Sequence, residues 1–211
     1  CSGLPLVTVT DENGCFTQLN PLISNPTDLD LTVTVTSDFS TFPISCQDST
    51  DGAIEVSVLG GAGGEYSYSI DGGLTFPFAS VGALDITNLA EGSYSVIAID
   101  SNLCESLAQD ITLDAPVPLS FDFITTSTLI SCNGFSDGEI SLLGADGVGD
   151  YLYSMDGGTT TQTSGDFTSL AAGTYEFTVI DENNCSHNEF FDLNQPSEIT
   201  ILSANVTSDY N

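Results

Sequence analysis

The six cysteines of this chain are the first residues whose types and spacing predict chemistry. No Cys-x-x-Cys pair occurs and the chain has one histidine, so a zinc site is not predicted. Two segments each begin with one cysteine and end with another, at nearly equal separations. This spacing predicts one disulfide per segment and an oxidising, extracellular environment, with Cys46 bonded to Cys104 and Cys132 bonded to Cys185. The partner of Cys15 is either Cys1 or a cysteine further upstream.

Aspartate and asparagine side chains form a second candidate group, because they recur at equivalent positions of the two segments. Their hard oxygen atoms are the ligands that calcium prefers. Asp-Gly and Asp-x-Asn sequences also use these side chains for hydrogen bonds within turns, so both interpretations stay open. Calcium is therefore the one candidate cofactor. Its candidate ligands are Asp51, Asp71, Asp100, Asn102, Asp137, Asp156, Asp181 and Asn183.

Residues for enzymatic catalysis are scarce. His187 is the only histidine, and we expect it in an exposed loop. No Gly-x-Ser-x-Gly motif, phosphate-binding loop or zinc-protease motif occurs. A pair of carboxylates of the glycosidase type is the remaining option, but a catalytic pair that recurs in tandem copies would be unusual. The sequence therefore predicts that the protein is not an enzyme.

Alternating tyrosines are the candidate ligand-binding aromatics. Tyr66 and Tyr68 recur as Tyr151 and Tyr153, with each pair on one face of a predicted strand. Such a stripe either stacks on sugar rings or packs into the core with its hydroxyl groups at the rim. The sequence leaves both interpretations open.

The charge of the chain excludes several kinds of partner. Thirty acidic residues and no lysine or arginine give a net charge of -30. Binding to a nucleic-acid backbone or to an anionic membrane surface needs cationic side chains, so neither is predicted. No apolar run reaches the roughly 20 residues of a membrane span, so membrane insertion is not predicted. The 40% apolar content is sufficient for folded cores.

An internal repeat of roughly 80–90 residues positions all of these groups. Four motifs occur twice in the same order: Cys-x(4)-Asp-Gly, Tyr-x-Tyr-Ser-x-Asp-Gly-Gly, Leu-x-x-Gly-x-Tyr and Asp-x-Asn-x-Cys. We predict full repeats at residues 27–116 and 117–196. Residues 1–26 are predicted to be the C-terminal part of a preceding repeat, and residues 197–211 the start of a following one.

Period-2 alternation predicts an all-β fold. Leu29, Leu31, Val33 and Val35 alternate with polar residues, as in a half-buried strand. The other strands predicted in the first full repeat are 53–59, 65–71, 74–79, 83–88, 93–100 and 108–113. Seven short strands separated by turns predict an immunoglobulin-like β-sandwich in each repeat. Tyr94 and Tyr175 have the sequence context of a tyrosine corner, in which the hydroxyl group bonds back to the chain.

The order and spacing of these motifs resemble the SprB repeat, a family of very large surface adhesins of gliding Bacteroidetes. The resemblance covers both full repeats. It implies a parent protein that is exported by type IX secretion and displayed as a filament attached to the bacterial outer membrane. It further implies that the motility machinery carries this filament and that the filament adheres to external surfaces or polysaccharides.

The resulting expectation is a structural stalk segment of a filamentous cell-surface adhesin. The alternative is a module that binds calcium or glycans directly, with avidity from repetition.

Overall fold

A computed structural model of the chain describes residues 6–19, 27–124 and 130–204. Within these ranges every regular element is a β-strand, and no helix occurs. The fifteen strands are β1 (Val7–Thr10), β2 (Phe16–Leu19), β3 (Asp30–Val35), β4 (Gly52–Leu59), β5 (Tyr66–Ser69), β6 (Phe78–Ser80), β7 (Leu84–Leu89), β8 (Gly92–Ile99), β9 (Gln109–Leu113), β10 (Ser120–Ile124), β11 (Gly138–Ala145), β12 (Leu152–Ser154), β13 (Asp166–Leu170), β14 (Gly173–Ile180) and β15 (Ser186–Leu193).

The chain divides into two compact units. The first contains Cys1–Ile44 and Asp48–Ala115, and the second contains Ser45–Gln47 and Pro116–Asn211. The second unit therefore includes three residues that belong by sequence to the first repeat. The four-part division predicted from the sequence stays a prediction.

The first unit contains two antiparallel sheets and the hairpin β1–β2. One sheet has the strand order β3-β4-β7, and the other has the order β6-β5-β8-β9. The chain passes from the first sheet to the second after β4, returns for β7, and crosses again for β8. This alternation between sheets is the Greek-key connectivity of immunoglobulin-like sandwiches.

The core of the first unit is built from the alternating residues of these strands. In β4, Ile54, Val56 and Val58 are buried, whereas Glu55 and Leu59 are exposed. Each fully buried side chain of this size contributes about 1.5–3 kcal/mol to folding. The opposing sheet adds apolar side chains from β5, β8 and β9, among them Tyr68, Val96, Ala98 and Leu113.

The second unit repeats this design with two three-stranded sheets, β10-β11-β13 and β12-β14-β15. Its core includes Phe121, Ile140, Phe167 and Phe177, and the rings of Phe167 and Phe177 lie 5.2 Å apart. The predicted all-β, immunoglobulin-like fold is confirmed. Among the described cysteines there is one disulfide, and the prediction of one within each repeat is corrected below.

None of the described segments forms a helix with the length and hydropathy of a membrane span.

Thr178 is a polar exception within the second core. Its hydroxyl oxygen Oγ1 is buried and has no hydrogen-bond partner among the described residues. A buried hydroxyl group without a partner loses its hydration without compensation. The equivalent residue of the first repeat is Ile97, which is apolar.

We expect Thr178→Val to raise the free energy of unfolding by about 1 kcal/mol, because it removes this hydroxyl group and keeps the side-chain shape. Urea denaturation followed by circular dichroism measures the change. Thr174→Val on the same strand is the matched control, because it removes a hydroxyl group that donates to Asp192 Oδ1 at 2.6 Å. A Thr178→Val protein that is less stable than the wild type would contradict the interpretation.

Candidate functional site

The loop Asp181–Cys185 follows β14 and is closed by the Asp181 carboxylate. Oδ1 accepts a hydrogen bond from the N–H of Cys185 at 2.8 Å, and Oδ2 accepts one from the N–H of Val148 at 2.9 Å. The N–H of Asp181 donates to the carbonyl oxygen of Cys185 at 3.0 Å. These bonds fix the position of Cys185 immediately before β15.

The same arrangement occurs in the first unit. Oδ1 of Asp100 accepts hydrogen bonds from the N–H groups of Asn102 at 2.9 Å and Cys104 at 3.0 Å. Oδ2 accepts one from Ala62 at 2.9 Å. The Cys104 hydrogen bond, followed by those from Ala62 and Asn102, lowers the pKa of Asp100 below its usual range. Asp100 is therefore a buried carboxylate that stays charged because backbone donors surround it.

A third copy of the loop lies between β1 and β2. Oδ1 of Asp11 accepts hydrogen bonds from the N–H groups of Asn13 and Cys15, both at 2.9 Å. In all three loops the residue before the cysteine has a left-handed backbone conformation. The φ angles are +81° at Gly14, +61° at Leu103 and +64° at Asn184.

The disulfide of the structure joins Cys46 to Cys185, with their Cα atoms 5.6 Å apart. The preceding residue, Ser45, takes part in the same contact. Its carbonyl oxygen accepts a hydrogen bond from Nδ2 of Asn183 at 3.1 Å, and the Sγ atom of Cys185 lies 3.2 Å from it. The Asp181–Cys185 loop therefore holds both the sulfur and the amide group that meet the Ser45–Cys46 segment.

The predicted disulfides Cys46–Cys104 and Cys132–Cys185 are wrong. Cys46 lies in the segment Ser45–Gln47, which packs as part of the second unit, so Cys185 is the cysteine within bonding distance. Cys15 and Cys132 are exposed thiols, and Cys104 is half-buried. Cys1 lies outside the described residues, as does its predicted bond to Cys15.

Asp71 organises the turn that follows β5. Its carboxylate accepts hydrogen bonds from the Ser69 hydroxyl at 2.6 Å, from the N–H groups of Leu74 and Thr75 at 3.0 Å, and from the Thr75 hydroxyl at 2.7 Å. The Ser69 hydroxyl group, followed by the two donors of Thr75, lowers the pKa of Asp71 to about 2. The Asp71 carboxylate therefore stabilises the turn in which it lies.

Asp156 does the same in the second unit. Its carboxylate accepts hydrogen bonds from the Thr160 N–H at 2.9 Å, from the Ser154 hydroxyl at 2.7 Å and from the Thr160 hydroxyl at 2.8 Å. The Thr160 N–H and the Ser154 hydroxyl are the main causes that lower the pKa of Asp156 to about 2. The internal repeat therefore extends to the hydrogen bonds of this turn.

The remaining calcium candidates are dispersed. Asp137 accepts hydrogen bonds from the N–H and the hydroxyl of Ser131, which lower its pKa, and the hydroxyl is the larger cause. Asp51 is an exposed residue directly before β4. In the described part of the chain, no group of three or more His, Cys, Asp or Glu side chains is placed to hold a metal ion. Calcium binding stays a prediction, which a thermal melt with calcium against magnesium at matched ionic strength would test.

The tyrosines serve the packing of the two sandwiches. The hydroxyl groups of Tyr94 and Tyr175 donate to the carbonyl oxygens of Ala90 and Ala171, both at 2.9 Å. This is the geometry of a tyrosine corner. The alternating tyrosines behave differently from a sugar-binding stripe, because Tyr66, Tyr68 and Tyr153 are buried and the Tyr151 ring is half-buried against the second core.

His187 lies on β15 and is half-buried, so its predicted loop position is wrong. Its ring forms a T-shaped contact with the ring of Phe121, with centroids 5.6 Å apart, and its Nε2 atom lies 3.3 Å from Glu189 Oε1. Packing of the imidazole against Phe121 gives this histidine a structural position.

Comparison with known proteins gave one family. Residues 39–75 match the sequence model of the SprB repeat. No curated protein matched the chain.

Three solved structures are similar in part. The fibronectin(III)-like modules of CbhA from Clostridium thermocellum are 16% identical, with 75% of this chain and 91% of that chain covered and a TM-score of 0.30. An intimin fragment in complex with the intimin-binding domain of its translocated receptor is 16% identical, with coverage of 81% and 64% and a TM-score of 0.34. The complex of Dpr11 and DIP-gamma immunoglobulin domains is 11% identical, with coverage of 78% and 96% and a TM-score of 0.31.

Leu103 is the strained member of the three cysteine loops. A left-handed conformation costs a branched residue about 1–2 kcal/mol, whereas asparagine adopts it more readily. The Leu103 side chain is 75% exposed, so its removal loses little packing. We expect Leu103→Asn to raise the free energy of unfolding by about 1 kcal/mol, as measured by denaturant unfolding. The reverse change at the equivalent residue, Asn184→Leu, should lower the free energy of unfolding by a similar amount. A change of the same sign in both variants would contradict the argument.

The turns of Asp71 and Asp156 predict a specific loss of stability in acid. Each folded-state pKa is about 2, against an ordinary value of 3.8, so the folded state binds fewer protons between these values. The stabilisation is complete above pH 3.8 and is lost as the pH falls towards 2. The double variant Asp71→Asn, Asp156→Asn should therefore be less stable than the wild type at about pH 6, and the difference should shrink towards about pH 2.

Urea unfolding at several pH values across this range measures the effect. Asp85→Asn on β7 is the matched control, because it removes an exposed carboxylate that lies outside these turns. A difference between the double variant and the wild type that is constant with pH would overturn the assignment.

Proposed function

Because this chain contains a SprB repeat, a module of cell-surface proteins, we propose that it is a structural stalk segment of a filamentous adhesin. The adhesin is secreted and held at the bacterial outer membrane, where it serves surface attachment and gliding motility. The function of the segment is mechanical: it spans distance and transmits force between the parts of the parent protein on either side.

The Cys46–Cys185 disulfide is the observation that carries this proposal. It joins residues 139 positions apart, and all strands from β4 to β14 lie inside the covalent loop. A force applied at the two ends of the chain passes through this bond, so the enclosed strands cannot be extended by that force. Among the described strands, β1 to β3 and β15 lie outside the loop and are exposed to the full tension. Such an arrangement supports a role under mechanical load.

The composition supports the same role. A chain without lysine or arginine offers no cleavage site to a protease whose primary pocket requires a basic residue. The net charge of -30 favours solubility and opposes non-specific association between neighbouring filaments. Both properties suit a long protein that is exposed outside a cell.

The SprB repeat and the immunoglobulin-like sandwich are structural modules, and we propose that this segment has no catalytic activity. Its contacts with external surfaces or polysaccharides are made through the parent adhesin, and the outer-membrane motility and secretion machinery is its cellular partner. Direct glycan binding by the repeat is less well supported, because Tyr66, Tyr68 and Tyr153 are buried. That alternative would be favoured if the isolated chain attached to a surface and free carbohydrate reduced this attachment.

Single-molecule pulling from the two termini tests the mechanical proposal. With the disulfide intact, we expect the fully extended chain to be shorter than the reduced chain by about 480 Å, because 139 residues at 3.3–3.6 Å each stay enclosed. Adding dithiothreitol under force should release this length.

Cys46→Ser is the matched control for pulling, since it opens the loop and leaves the other cysteines in place. Its extension should equal that of the reduced wild type. An oxidised wild-type chain that extends to its full length, or that releases two shorter lengths, would contradict the proposed path of force.

A further inference from the structure

Cys132 occupies the position in the second repeat that Cys46 occupies in the first. Both follow a serine, and both precede an Asp-Gly pair at the start of a core strand. Cys46 is bonded to the second cysteine of the repeat that follows it, whereas Cys132 is an exposed thiol. Within one chain, the same sequence position is therefore seen once with a covalent partner and once as a thiol.

The turn that contains Cys132 is tied to the end of the second repeat. Nδ2 of Asn133 donates to the carbonyl oxygen of Pro196 at 3.0 Å, and the N–H of Gly134 donates to Gln195 Oε1 at 2.7 Å. Asp137 binds Ser131, the residue before Cys132, through the two hydrogen bonds described above. Cys132 is therefore fixed next to the residues that lead into segment 197–204.

Segment 197–204 carries exposed apolar residues in the pattern of a core strand. Ile199 is 93% exposed and Ile201 is 86% exposed. Leu119 and Phe121 stand in the same positions relative to Pro116 as Ile199 and Ile201 do to Pro196. Leu119 is 8% exposed and Phe121 is 6% exposed. In the first repeat the corresponding residues, Leu29 and Leu31, are buried as well. The alternation in segment 197–204 is thus that of a first sandwich strand.

We propose that Cys132 and segment 197–204 form the docking site for one further repeat of the same type. Ile199 and Ile201 enter the core of that repeat as its first strand. Its Asp-x-Asn-x-Cys loop then brings a cysteine to Cys132, in the way that the Asp181–Cys185 loop brings Cys185 to Cys46. Each repeat is thereby bonded to the next. This inference rests on the proposed function, since it requires a tandem array.

The bond forms by thiol–disulfide exchange with a small or protein disulfide as the oxidant. The Cys132 thiolate attacks one sulfur of that disulfide and expels a thiolate. The thiolate of the incoming cysteine then attacks the mixed disulfide, forms the Cys132 bond and releases the second thiolate. Two protein thiols are oxidised, the oxidant is reduced to two thiols, and the two protein protons pass to these thiols.

The experiment extends the chain by one repeat. Residues 1–204 are followed by a second copy of residues 125–211, so that the native segment 197–204 provides the first strand. In the added copy only, Ser186→Thr changes the mass of the peptide that carries its second cysteine. The protein is oxidised with glutathione disulfide, its remaining thiols are alkylated, and it is digested at glutamate residues under non-reducing conditions.

We expect mass spectrometry to find the peptide 106–139 of the native part, which contains Cys132, joined to the mass-tagged cysteine peptide of the added copy. The native Cys185 should stay bonded to Cys46. Cys132→Ser in the native part is the control and should leave the tagged cysteine as an alkylated thiol. In the extended chain, hydrogen exchange at residues 199–202 should become at least about tenfold slower than in the original chain, because the strand gains ladder hydrogen bonds.

Two results would overturn the inference: a Cys132 that stays a thiol in the folded, extended chain, or a Cys132 bonded to the untagged Cys185. Circular dichroism of the Cys132→Ser variant shows whether the added repeat folds without the bond. The pulling experiment uses Cys46 and Cys185 only, so the proposed stalk function can fail or survive independently of the bond at Cys132.

Discussion

A chain with thirty carboxylates and no lysine or arginine has to stabilise its negative charge with uncharged donors. Backbone N–H groups and serine or threonine hydroxyl groups fill this role at Asp71, Asp100, Asp156 and Asp181. The buried Asp100 and Asp181 each accept at least two backbone hydrogen bonds, and Asp71 and Asp156 each hold a hydroxyl-rich turn. Because these donors belong to the same turns as the aspartates, the hydrogen bonds that stabilise each negative charge also determine the conformation of the turn.

The position of the disulfide depends on one of these carboxylates and its backbone donors. The side chain of Asp181 closes a five-residue loop and so determines where Cys185 stands, while Asn183 in the same loop binds the carbonyl oxygen of Ser45. A sulfur atom that is held in position by several hydrogen bonds loses less conformational freedom when it is oxidised. Asp181, one of the aspartates that the sequence offered as calcium ligands, therefore positions Cys185 for its disulfide.

Most strands were predictable because alternation and glycine-rich turns are local signals, but the predicted strand 74–79 is wrong, since only its last two residues belong to β6 (Phe78–Ser80). Leu29 to Val35 and Ala53 to Leu59 differ from the observed β3 and β4 by one residue at one end. The pairing of cysteines was not predictable from the sequence. The second cysteine of the same repeat and that of the next repeat lie in the same motif, Asp-x-Asn-x-Cys, so the motif does not show which of them bonds to Cys46. The conformation of Leu103 was also hidden, since leucine rarely adopts it, and the signal lay only in its alignment with Gly14 and Asn184.

The bond between Cys46 and Cys185 has a consequence for the inheritance of such a protein. In this bond, the partner of a first-position cysteine is the second-position cysteine of the next repeat, so pairing is defined by relative position and not by the identity of either copy. Unequal recombination that deletes or duplicates a whole number of repeats would keep that rule intact. In an array in which every repeat is bonded to the next, as proposed for Cys132, a gene could therefore change the length of its product without leaving an internal cysteine mismatched.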